Sequence, residues 1–179
     1  MQKLTRRHVI ATITTSSVML CPAILNAQTS FDLDWDGIAT DMPTGQDQMI
    51  TVPAGPAQVD VTDLQPGEVA VIARPSDDEK YSSTGMTQYV AVHRRTDAQI
   101  AATDGAAYFV ANLVCTHRGK AIGLTGNADA PFACTDRRSR HGSVYDGTGL
   151  GVSGASEGEF MSIPEHTLTT GDQVTLTLA

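Results

Sequence analysis

The sequence predicts an all-β domain, and three observations carry the prediction: short β-prone segments recur along it, turn residues separate them, and only one helix start stands out. The segments are Gln58–Val61, Glu68–Ala73, Gln88–Arg94, Ala107–Val114, Phe132–Cys134, Ser143–Tyr145, Phe160–Ile163 and Val174–Leu178. The helix start is Thr96 with Gln99 three residues on, ahead of Ile100-Ala101-Ala102, which is the pattern of a capping box. From Gly119 to Gly158 the chain is rich in glycine and short of long apolar runs. That tract is expected to fold as loops braced by something other than a hydrophobic core, and a metal centre would serve.

A length of 179 residues suits one domain with a proper core and some terminal tail. The first 27 residues read as an export signal: Thr5-Arg6-Arg7-His8-Val9-Ile10, an apolar, hydroxyl-rich run to Leu20, then Leu25-Asn26-Ala27 as a cleavage site. The arginine pair resembles a twin-arginine signal, with Val9 where Phe is commonest, and that route carries proteins already loaded with cofactor. Thr12, Thr14, Thr15, Ser16, Ser17 and Pro22 make the run a weak candidate for the ~20 apolar residues of a spanning anchor. Residues 28–48, with Asp32, Asp34, Asp36, Asp41 and Asp47 among Gly37, Pro43 and Gly45, read as an acidic flexible tether. The folded domain is then expected over 49–179.

The formal charge is -8, from 12 basic and 20 acidic residues. Loss of Lys3, Arg6 and Arg7 with the signal leaves 9 basic residues and a charge of -11. Such a surface repels polyanions, which excludes nucleic acid as the expected partner.

Two Cys-plus-His pairs stand at strand ends. Cys115-Thr116-His117 follows the apolar Leu113-Val114, and Cys134 precedes His141-Gly142-Ser143-Val144-Tyr145-Asp146. Thiolates are soft ligands suited to iron and sulfide, and neutral imidazoles leave such a centre less negative and easier to reduce.

These residues resemble the Rieske family of 2Fe-2S proteins, which has C-x-H-x-G in one loop and a second cysteine followed by H-G-S and an aromatic-Asp pair in the other. Cys115, His117 and Gly119 match the first loop, and His141-Gly142-Ser143-Val144-Tyr145-Asp146 matches the second, with 16 residues between His117 and Cys134. Further similarity, to the iron-sulfur subunit of quinol-oxidising cytochrome bc complexes, runs through Asp60–Glu68 and Val90–Thr96. The resemblance implies an antiparallel β-sandwich with a small, loop-rich cluster-binding subdomain at about 113–148. It implies that Cys115 and Cys134 hold a buried iron, and that His117 and His141 hold an outer one. It also implies that Ser143 and Tyr145 donate hydrogen bonds to a cluster sulfide and a cysteine sulfur, favouring the reduced state and a potential at the upper end of roughly -150 to +300 mV.

Three departures from the family pattern stand out. Six residues, Thr135 to Arg140, separate Cys134 from His141 where the family has two, so Asp136 is an alternative fourth ligand. The cysteines of the disulfide that joins the loops in quinol oxidisers map onto Lys120 and Arg140. Arg118 replaces an apolar residue at the tip, and no Gly-Pro-Ala-Pro-like loop follows at Gly151-Val152-Ser153-Gly154. Arg118, Lys120, Arg137, Arg138 and Arg140 make five of the nine basic residues left after export, and all flank the ligand loops. A basic tip on an acidic body would steer towards an acidic redox partner.

The expected function is one-electron transfer outside the cytoplasm, as the iron-sulfur subunit of a quinol-cytochrome c reductase-like complex. A soluble periplasmic carrier, or the small subunit of an arsenite-type oxidase, is the alternative. The chain alone should show no turnover. A Cys2His2 zinc site and a Cys115–Cys134 disulfide in a plain secreted domain are the chemical rivals. His93 and His166, with no ligand partner nearby in sequence, read as surface or satisfied core residues.

Overall fold

The computed structural model describes residues 49–136 and 142–179. The export segment, the acidic tether and the residues Arg137, Arg138, Arg140 and His141 lie outside the described residues.

In chain order the strands are β1 (Met49–Thr51), β2 (Ala57–Asp60), β3 (Val69–Pro75), β4 (Thr87–Arg94), β5 (Tyr108–Asn112), β6 (Ile122–Leu124), β7 (Phe132–Cys134), β8 (Val144–Tyr145), β9 (Gly151–Ser153), β10 (His166–Thr169) and β11 (Thr175–Leu178). The fold is all-β. Among the described residues one short α-helix, α1 (Asp97–Ala101), and two 3-10 turns join them.

The described strands form three sheets, ordered β1-β3-β4-β5, β10-β11-β2 and β6-β7-β8-β9. Among the described strands pairing is antiparallel except between β1 and β3, which run parallel, so the expected antiparallel sandwich has one parallel edge pair. The first sheet is central because its side chains alternate between two cores, as the two-residue period of a strand requires. Ala70, Ile72, Val90, Val92 and Val110 join Val59, Leu176 and Leu178 of the second sheet. Their neighbours Val71, Ala91, Phe109 and Ala111 join Ile122, Phe132, Cys134 and Tyr145 of the third. Each fully buried aliphatic side chain contributes about 1.5–3 kcal/mol, so slipping one strand by a residue would exchange the two cores.

The link between β4 and β5 ties the central sheet to the third. Thr96 caps α1 reciprocally with Gln99, as the capping-box pattern predicts. The Gln99 amide then donates to Ala128 O at 2.7 Å, and Arg95 Nε donates to Gly147 O at 3.3 Å. His93 is fully buried between Glu68 O (3.1 Å) and Gln99 Oε1 (3.0 Å). Both partners are acceptors, also reached by the Arg94 and Thr96 amides, so a neutral ring donates to one of them only. Burial pushes its pKa below 6.5, more than these acceptors raise it.

Two expectations are corrected. Phe160–Ile163 is not a strand: only Met161 turns inward, Phe160 is 64% exposed, and one isolated bridge joins Leu150 to Phe160. The Gly119–Gly158 tract is not only loops, because β6 to β9 lie within it and bury Ile122, Phe132, Val144 and Tyr145 completely. Strands of two or three residues are too short to show alternation. No helix among the described residues is long and apolar enough to cross a membrane.

Candidate metal centre

The third sheet places both cysteines. Cys134 ends β7 opposite Ile122 of β6, and its amide donates to Ser143 O at 2.8 Å, which locks the second ligand loop to the first residue of its motif. Cys115 begins the turn between β5 and β6. Its amide donates to Lys120 O at 2.7 Å, and Gly119 N–H returns to Cys115 O at 2.8 Å. Gly119 sits at φ +62°, a left-handed conformation open to glycine at little cost, which is why this turn needs glycine four residues after the cysteine. Ser83, on the 3-10 turn after β3, donates to Gly119 O at 2.6 Å and braces the loop from outside.

Both thiols are 2% exposed and neither is in a disulfide. They lie side by side: the Cys134 thiol is hydrogen-bonded to Cys115, which holds the Cys115 pKa far below the ordinary thiol range and pushes that of Cys134 up. Further donors converge on the sulfurs. Tyr145 donates to Cys115 Sγ at 3.3 Å and Ser156 Oγ lies 3.6 Å from it, while Ser143 Oγ, 3.9 Å away, is placed to accept from the Cys115 thiol. The His117 amide also donates to Cys115, and the Asp136 amide to Cys134. Burial raises the Tyr145 phenol, which keeps it a proton donor.

This donor set fits a thiolate-bound metal. One thiolate beside one thiol is what two adjacent thiols can reach unaided; a second deprotonation in a buried site needs a cation between them. Hydrogen bonds from N–H and O–H groups to the sulfurs are the outer interactions that orient such ligands and tune their charge.

Among the residues named from sequence, the structure brings together Cys115, Cys134, Ser143 and Tyr145. His117 follows Cys115 on the same turn, with its side chain on the exposed side, and Arg118 and Lys120 beside it are exposed. Asp136 is half-buried next to Cys134. The described residues gather no group of three or more His, Cys, Asp or Glu side chains, and His141 lies outside them, as do Arg137, Arg138 and Arg140.

Sequence reasoning missed Thr116, Ser156 and Glu159. Ser156 is fully buried; its amide donates to Ser143 Oγ at 3.0 Å and its hydroxyl lies 3.0 Å from Thr116 Oγ1. Thr116 also donates to Glu159 Oε2 at 2.7 Å. Ser156 is 41 residues from Cys115, and no local signal marks it; only β9 and the 3-10 turn Gly154–Ser156 carry it there. Gly154 permits this approach: a Cβ on it would lie 2.4 Å from Gly142 O.

No protein-family model matches this chain, and no curated protein matches it either. Its function is therefore argued from the geometry of these residues and from the motifs they resemble.

Proposed function

We propose that this chain binds a Rieske-type 2Fe-2S cluster through Cys115, His117, Cys134 and His141 and works in one-electron transfer, as the iron-sulfur subunit of a quinol-cytochrome c reductase-like complex. One observation carries the reading: two buried thiols from separate loops lie side by side, with donors directed at their sulfurs from the backbone and from Tyr145. The exposed side chain of His117 on the same turn agrees with a ligand pair facing a partner. Bound there, the cluster accepts and returns a single electron.

The chain's own residues set the terms of that exchange. Cys115 and Cys134 supply two negative charges inside the third sheet and keep water from that side. Tyr145, held protonated by burial, donates to Cys115 and favours the more negative, reduced state. Arg118 and Lys120 put positive charge beside His117, on a chain of net charge -8, and orient that edge towards an acidic surface.

The charged tip also favours a second reading, a soluble periplasmic carrier or the small subunit of an arsenite-type oxidase, because Arg118 suits a protein surface better than an apolar quinol pocket. Placement outside the cytoplasm rests on the twin-arginine-like segment.

Pulsed EPR of the reduced protein tests the ligand set. Two nitrogen couplings in the native protein, one of them lost in His141→Ala, support it. A single nitrogen coupling in the native protein, unchanged by the substitution, would remove His141 and bring Asp136 forward. A rate of electron transfer to an acidic partner that falls steeply with ionic strength supports the docking edge, and a flat response contradicts it.

A further inference from the structure

We propose that Glu159 is a positioning residue for the sulfur of Cys115: acting through Thr116, it withdraws the Tyr145 hydroxyl proton from that sulfur and holds the reduction potential down. The inference rests on the cluster reading above and concerns residues that the ligand motifs do not include.

Tyr145, Ser156 and Thr116 each bring one hydroxyl proton. Tyr145 OH and Ser156 Oγ stand 3.3 and 3.6 Å from Cys115 Sγ, and the same two oxygens stand 3.3 and 3.0 Å from Thr116 Oγ1. Thr116 Oγ1 is thus a competing acceptor for Tyr145, whereas towards Ser156 Oγ it is placed as the donor. Whether it competes depends on where its own proton goes. Glu159 Oε2, 2.7 Å away, takes that proton, since an ionised carboxylate only accepts and its bond is charge-assisted. With its proton directed outward, Thr116 turns its lone pairs inward, and Tyr145 divides its proton between oxygen and sulfur.

Removing the carboxylate reverses the arrangement. Thr116 can then commit its proton to Ser156 Oγ, its pull on Tyr145 weakens, and the phenol proton settles on Cys115. More donation to sulfur stabilises the reduced state and raises the potential. The lost negative charge acts in the same direction, so the two contributions must be separated. Glu159→Gln removes the charge and keeps an acceptor for Thr116; Glu159→Ala removes both. In a Thr116→Val background there is no competing acceptor, and only the charge effect is left.

The test is the midpoint potential of the loaded protein, measured for Glu159→Ala, Glu159→Gln, Thr116→Val and the Thr116→Val/Glu159→Ala pair, with iron content determined on each sample. The expected result is an upward shift for Glu159→Ala that exceeds that of Glu159→Gln and falls by at least half in the Thr116→Val background. Equal shifts for the Ala and Gln variants, or the same Glu159→Ala shift in both backgrounds, would reduce Glu159 to a distant charge and overturn the inference. If the Thr116→Val protein does not load, the Ala-to-Gln comparison decides alone, because Glu159 is exposed and its variants leave the core untouched. A native chain that binds no iron fails the cluster reading, and this inference with it; a loaded chain with unshifted potential fails this inference only.

Discussion

The two faces of the central sheet are held in different ways. Against the β2-β10-β11 sheet the packing is aliphatic, from Val59, Ile72, Val90, Val92, Leu176 and Leu178, and the buried amides Gln88 and Asn112 on the same face of β4 and β5 bond to each other. Against the β6–β9 sheet, buried hydrophobic residues alternate with Cys115, Cys134, Ser143, Tyr145 and Ser156, all at most 2% exposed. Burying hydroxyls and thiols costs free energy unless each finds a partner. The first face needs nothing beyond itself, whereas the second is arranged around two sulfurs. A fold that keeps its stability on one side and its polar groups on the other can tolerate change at the site without losing its framework.

That contrast breaks most sharply with a pair of substitutions. Cys134→Ser should abolish metal binding while near-native β-structure persists, as read by metal content and circular dichroism. Leu176→Ala, on the aliphatic face, should cost about 2–5 kcal/mol in denaturant unfolding and leave metal content unchanged. Loss of metal in the Leu176→Ala protein below its unfolding midpoint would show that the faces are not independent.

Gly154→Ala should have the next largest effect. A side chain there meets Gly142 O at 2.4 Å and must adopt φ +81°, a conformation that costs on the order of 1–3 kcal/mol for other residues. The strain falls on the second ligand loop, so metal retention against a chelator should drop more than global stability does.

Tyr145→Phe keeps the ring and removes one donor to Cys115. A bond strengthened by about 1.4 kcal/mol on reduction corresponds to about 59 mV for a one-electron couple, and the midpoint potential should fall by that order. An unchanged potential would mean that the phenol is no donor to the centre.

The smallest effect concerns the seam between the faces. Burial holds the His93 pKa below 6.5 in the folded chain. The unfolded chain therefore takes up a proton there first, so this contribution is fully present above about pH 6.5 and is lost as pH falls towards the folded value. His93→Gln should flatten that part of the stability profile, measured by urea unfolding between pH 7.5 and about 5.

Much of this contrast was legible in the sequence. The long strands β3, β4 and β5 and the capping box at Thr96 showed themselves because alternation and caps are local signals. So did the two cysteines, since each ends an apolar strand. The third sheet was largely hidden: β6 and β9 have three residues each, and their pairing depends on contacts made across loops. Ser156 and Glu159 were invisible for the same reason, as neither has a pattern until Gly154 folds them against Ser143 and Thr116. The edge strand β1 was missed because its parallel partner β3 is remote in sequence and leaves no hairpin signal.

The most direct test of the account is the iron, acid-labile sulfide and zinc content of the folded native protein in one digest. Two irons and two sulfides per chain with no zinc are the expected result. Zinc without sulfide, or a metal-free chain with Cys115 and Cys134 oxidised to a disulfide, would contradict the account and leave a stabilised β-domain with no part in electron transfer.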